Sequence, residues 1–74
     1  MSVLLKYHGD NIECLTLAEF KAALAGKYIG REITIEYKLE SGIKTTVIVK
    51  VNDDCSLSSS YNGEDIKHSQ FGLT

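Results

Sequence analysis

The sequence predicts an α+β fold: an antiparallel β-sheet, in the element order β-β-α-β-β-β, with one short helix packed on one face. Three observations point there. Residues 31 to 51 alternate apolar and polar side chains, broken only at Glu40-Ser41-Gly42; Thr16 opens a strongly marked helix; and turn residues separate the remaining short apolar runs.

Val3, Leu5 and Tyr7 alternate with Lys6 and His8, as a first strand requires. Gly9-Asp10-Asn11 marks a turn, and Ile12 to Leu15 suffices for a return strand. A loop of His8 to Asn11 places Tyr7 opposite Ile12 and Leu5 opposite Cys14.

Thr16-Leu17-Ala18-Glu19 reads as a capping box, in which hydroxyl and carboxylate each satisfy an orphan backbone N–H. Leu15 and Phe20 are spaced as a hydrophobic staple, and Leu17, Phe20, Ala23 and Leu24 form one apolar stripe. The helix is expected to run about 10 to 13 residues, a length that depends on tertiary packing. It stops at Gly26 or, one turn later, at Gly30.

Directly paired strand residues share a face, so a buried face must pair odd positions with odd ones. A two-residue Ser41-Gly42 loop would set Leu39 against Lys44 and spoil the pattern. The three-residue loop Glu40-Ser41-Gly42, with Gly42 left-handed, repairs it. Leu39 then meets Ile43, Tyr37 meets Thr45, Ile35 meets Val47 and Ile33 meets Val49. A three-residue turn at Asn52-Asp53-Asp54 similarly pairs Val51 with Cys55, Val49 with Leu57, Val47 with Ser59 and Thr45 with Tyr61. Residues 55 to 61, rich in serine, are expected as an edge strand. Asn62-Gly63 turns the chain again, and residues 64–74 form a tail that is either flexible or folded over the core through Ile66, Phe71 and Leu73.

The 74 residues are expected to make a single small domain. The opening hairpin, capped helix and strand resemble the start of a β-grasp arrangement of the ubiquitin type in element order, and the long meander departs from it. That resemblance implies no activity. Glu32, Thr34, Glu36, Lys38, Lys44, Thr46 and Lys50 share the opposite face with Ile48, which reads as a solvated surface.

No apolar run approaches membrane-spanning length and Val3-Leu4-Leu5 is too short for a signal peptide, so a cytoplasmic location is expected. Cys14 and Cys55 form no CxxC motif and are expected as reduced thiols. His8, Cys14, Cys55 and His68 lack the paired short spacing of a structural zinc site. The run Ser56 to Ser60 contains no nucleophile elbow, and Asp53-Asp54 and Glu64-Asp65 lack calcium-loop spacing. No catalytic residue, cofactor or metal is therefore assigned.

A formal charge of -2, with bases interleaved among acids, lacks the electrostatic footprint of a nucleic-acid binder. Tyr7, Tyr28, Tyr37 and Tyr61 keep base stacking open as an alternative, and a small metal- or thiol-dependent protein is a third reading. The preferred expectation is a small non-enzymatic accessory, inhibitor or regulatory protein that binds another protein and associates with itself, as a homodimer or other homo-oligomer. Tyr28, Tyr37, Ser58, Ser60 and Tyr61 are its expected contacts, with residues 55 to 61 as the pairing edge.

Overall fold

A computed structural model describes residues 2–73. The strands are β1 (Val3–Tyr7), β2 (Asp10–Cys14), β3 (Glu32–Lys38), β4 (Lys44–Val51), β5 (Leu57–Ser59) and β6 (Asp65–Ile66); the helix α1 spans Leu17–Ala25, and a 3-10 turn covers His68–Phe71. They form one antiparallel sheet in the order β2-β1-β3-β4-β5-β6. The element order and the single helix agree with the sequence reading, and the two-residue β6 extends the meander. Among the described residues no helix is long and apolar enough to cross a membrane.

The central hairpin has the register that parity demands. Ile33 faces Val49, Ile35 faces Val47 and Tyr37 faces Thr45. Gly42 takes φ 89° and its N–H donates to the Leu39 carbonyl, while the Leu39 N–H donates to Ile43. A side chain at Gly42 would have open space and a strained backbone, so the constraint there is conformational.

The two flanking hairpins are each displaced by two residues from expectation. In the first, Leu5 faces Ile12 and Val3 faces Cys14, because the loop is only His8-Gly9. Both loop residues have positive φ, the twist that matches a tight hairpin, and His8 supplies it at φ 44° without being glycine. In the second, Val51 faces Leu57 and Val49 faces Ser59. The connection there is residues 52 to 56: Asn52 N–H donates to the Ser56 carbonyl and Cys55 turns left-handed at φ 68°. A shift of two preserves the face, so the core set survives both corrections. Cys55, expected inward on a strand, lies half-buried in the loop.

The helix starts as its cap dictates. The Glu19 N–H donates to Thr16 Oγ1 at 3.1 Å. Glu19 in return accepts from the Leu15 N–H at 3.2 Å, one residue before the cap. Leu15 is 57% exposed, so the expected staple leaves it in solvent. The helix closes at Ala25, shorter than expected, where the Gly26 N–H folds back to the Ala23 carbonyl. The turn that follows, closed by Arg31 N–H to the Tyr28 carbonyl, drops Tyr28 into the interior.

Phe20 and Leu24 of α1 pack with Val3, Leu5, Ile33, Ile35, Val49, Val51 and Leu57 of the sheet. Phe71 and Leu73 close the same core from the C-terminal side, at 2% and 6% exposure. Sheet surface that the nine-residue helix leaves uncovered is thus partly filled by the chain's own end.

On the opposite face Glu36 accepts from Lys6 and Lys44, each at 2.9 Å. Lys44, which sits directly opposite Lys38 in the register, thus has an acidic partner on the same face. Glu32, paired across the strands with Lys50, accepts a hydrogen bond from Ser60 Oγ.

Candidate functional site

Strand β4 is eight residues long, and β5 pairs with only its last three, Val49 to Val51. The Ser60 N–H adds one more bond, to the Ile48 carbonyl. Backbone groups alternate sides along a strand, so that bond and the Lys50–Ser58 pairing show that even-numbered residues of β4 direct theirs toward β5. At Lys44 and Thr46 there is no β5 to receive them. The N–H and C=O groups of these two residues form a short open edge.

The side chains around that edge are apolar. Among the described residues the exposed large hydrophobics are Leu39 (44%), Ile43 (62%), Ile48 (51%), Tyr61 (95%) and Leu15. All but Leu15 lie on β4, at the hairpin beside it, or on the β5–β6 loop beyond it. A shallow concavity of about 390 Å³ runs alongside, lined by Thr46, Val47, Ile48, Ser59, Ser60 and Tyr61. Thr45, Thr46, Val47 and Ile48 are uncharged and β-branched, the composition suited to receive another strand.

The sheet's outermost strands, β6 and β2, are managed differently: β6 is only two residues long and carries Asp65, and β2 is charged. Strand β2 carries Asp10 and Glu13, and Asp10 is bridged to Lys27 at 2.6 Å. Charges at a sheet margin discourage further pairing.

The expected contact residues distribute unevenly. Tyr61 stands in solvent at the tip of the β5–β6 loop, and Ser60 lies beside the open edge. Tyr37 is half-buried and meets Phe71. Tyr28 is fully buried, which removes it from any contact surface. Ser58 pairs with Asp65 of β6 and its hydroxyl accepts from Asn52 at 2.9 Å, so the stretch 55 to 61 is an interior strand only at Leu57–Ser59, with loop on either side. The open edge lies instead at Lys44 to Val47. The signal for this was present: Asn62-Gly63 limits β5, while the β-branched run of β4 extends well below it.

The thiols and imidazoles do not assemble into a reactive group. Cys14 is buried, and burial together with the nearby Glu19 carboxylate raises its thiol above the ordinary value, opposite to what a nucleophile needs. His68 Nε2 lies 2.8 Å from the Cys55 carbonyl, which only accepts, so that nitrogen carries the proton and is occupied. Among the described residues no three His, Cys, Asp or Glu side chains converge as metal ligands. A second cleft, of about 400 Å³, is lined by Ser2, Leu4, Glu13, Glu36, Tyr37, Lys38, Lys44 and Phe71. Its central carboxylate, Glu36, is held below the usual carboxylate range by its hydrogen bonds to Lys6 and Lys44. A carboxylate so engaged is a poor proton acceptor.

No protein-family model matches this chain, and no curated protein or solved structure is significantly similar to it.

Proposed function

We propose that this protein is a small non-enzymatic accessory or regulatory protein, and that it acts by binding another polypeptide as an added strand on the open edge of β4. One observation carries the reading: the unpaired backbone groups of Lys44 and Thr46 are flanked by exposed apolar side chains, Leu39 and Ile43 on the core face and Ile48 on the other, with Tyr61 on the loop beyond. Strand addition draws affinity from main-chain hydrogen bonds and selectivity from alternate side chains, and both sources are present here. The two clefts are shallow or electrostatically satisfied, which favours association over turnover.

Selection of extended peptides from a displayed library tests the reading. Bound peptides are expected to slow amide exchange at Lys44 and Thr46, and Thr46→Pro is expected to abolish binding. The Thr46 N–H points away from β3, so proline is tolerated at this edge with the fold intact. Ligands that bind the Thr46→Pro variant as well as the parent, or a selection that yields none, would overturn it.

A further inference from the structure

We infer that the strand received by the β4 edge is β4 of a second copy, paired antiparallel about a two-fold axis at Thr45; this rests on the strand-addition reading above. The backbone leaves one workable register. Position 48 is closed because its carbonyl already accepts from Ser60, so a pairing centred on Thr46, which sets strand residue Lys44 of one copy against residue 48 of the other, would collide with that chain; a pairing centred on Thr45 brings opposite position 48 only Gly42, where the chain has turned back toward β3. Centring on Lys44 opposes two lysines and leaves Thr46 facing the Gly42 turn. Centring on Thr45 matches both open residues, Lys44 with Thr46 of the second copy and the reverse, for four backbone hydrogen bonds.

The side chains agree with that register. Ile43, 62% exposed, falls opposite the half-buried Val47 of the second copy, on the face that continues the core. Thr45 meets its own counterpart at the axis, a favourable cross-strand pair. No like charges are opposed. In the register of β3 and β4, Glu36 faces Thr46 and Lys38 faces Lys44. The dimer therefore extends the lysine row of one copy into the row of the other that holds Glu36. The contact is isologous: one patch serves both subunits.

The test is sedimentation equilibrium from about 5 µM to about 500 µM, a range that spans weak association. Thr46→Lys faces Lys44 of the second copy twice, and each unfavourable pair is expected to weaken the dimer about fivefold. Thr46→Glu creates two attractive pairs and is expected to tighten it. Within one chain the order reverses, because residue 46 lies opposite Glu36: the lysine variant should unfold at higher urea and the glutamate variant at lower. A purely structural effect therefore gives the opposite ranking. In the parent, amide protection at Lys44 and Thr46 should rise with protein concentration, a readout that needs no variant.

A parent that stays monomeric throughout this range, or a dimer equally strong in both variants, overturns the second copy as occupant. The peptide selection decides the broader reading separately, since a monomer that binds extended peptides in a Thr46→Pro-sensitive way keeps strand addition and loses only self-pairing.

Discussion

Tyr37 of β3 and Phe71 of the C-terminal 3-10 turn meet edge to face, with ring centroids 5.0 Å apart. Phe71 also meets Phe20 of α1 at 5.5 Å, so one side chain near the chain end bridges helix and sheet. Edge-to-face aromatic pairs add to the burial of the rings themselves. The tail is thereby a structural member of the core.

Phe71→Ala is expected to cost roughly 3 to 5 kcal/mol, the range for deleting a buried aromatic. A domain of this size has a stability of roughly 4 to 10 kcal/mol. The variant should therefore retain only a fraction of the parent's stability and unfold at markedly lower urea. Urea titration followed by circular dichroism measures the loss, and a midpoint unchanged from the parent would show that the tail contributes nothing.

Tyr28 presents the opposite situation. Its ring is fully buried and packs against Tyr7 at 5.7 Å, but its hydroxyl has no hydrogen-bond partner. An unsatisfied buried polar group costs about 1 to 3 kcal/mol, so Tyr28→Phe is expected to stabilise the fold. Burial also raises the phenol above its ordinary value of 10.0. A raised acid of this kind stabilises the fold below that value, and the contribution is lost as pH climbs through the higher folded value. Phenylalanine should flatten this alkaline limb. A destabilised variant would reveal a bridging water on the hydroxyl.

His8 occupies the left-handed region at φ 44°, next to Gly9 at φ 90°. Asparagine tolerates that conformation better, and Asn-Gly is the preferred pair for such a turn. His8→Asn is expected to raise stability by about 0.5 to 1 kcal/mol, offset in part by the loss of the imidazole edge contact with Tyr7 at 4.3 Å. Thermal unfolding checks it, with no change or a lower midpoint counting against the conformational account.

Glu36 gives a pH dependence. Its hydrogen bonds to Lys6 and Lys44 lower its folded value below 4.5. A depressed carboxylate adds stability above its unfolded value, and the addition is lost as pH falls through the folded one. The parent should therefore lose stability on acidification below about pH 4.5, and Glu36→Gln should lose less over the same window. Parallel acid titrations of the two proteins would expose the error if their slopes matched.

Parity of the apolar pattern was enough to place Ile33, Ile35, Val49 and Leu57 in the core, because every register error was an even number of residues. Loop length was harder to read. The two turns that differ from expectation rely on His8 and Cys55 at positive φ, positions where glycine or asparagine is the usual signal. Strand β6, with two residues, has too little pattern to be seen at all. For the candidate site, Tyr61 and Ser60 were legible as exposed polar-edge residues, whereas Tyr28 looked no different in sequence from an exposed tyrosine. Its burial follows from the turn at Gly30, whose N–H bonds the Val51 carbonyl, a contact between distant segments.

The contrast between the sheet's outermost strands and the open stretch of β4 limits how large any assembly can grow. Endless stacking requires each added molecule to offer a fresh adhesive margin, but the outermost strands β2 and β6 both carry acids, β6 is only two residues long, and the open, receptive stretch lies on β4. Once two molecules have joined, that receptive margin is spent on both sides, and a filament has nowhere to start.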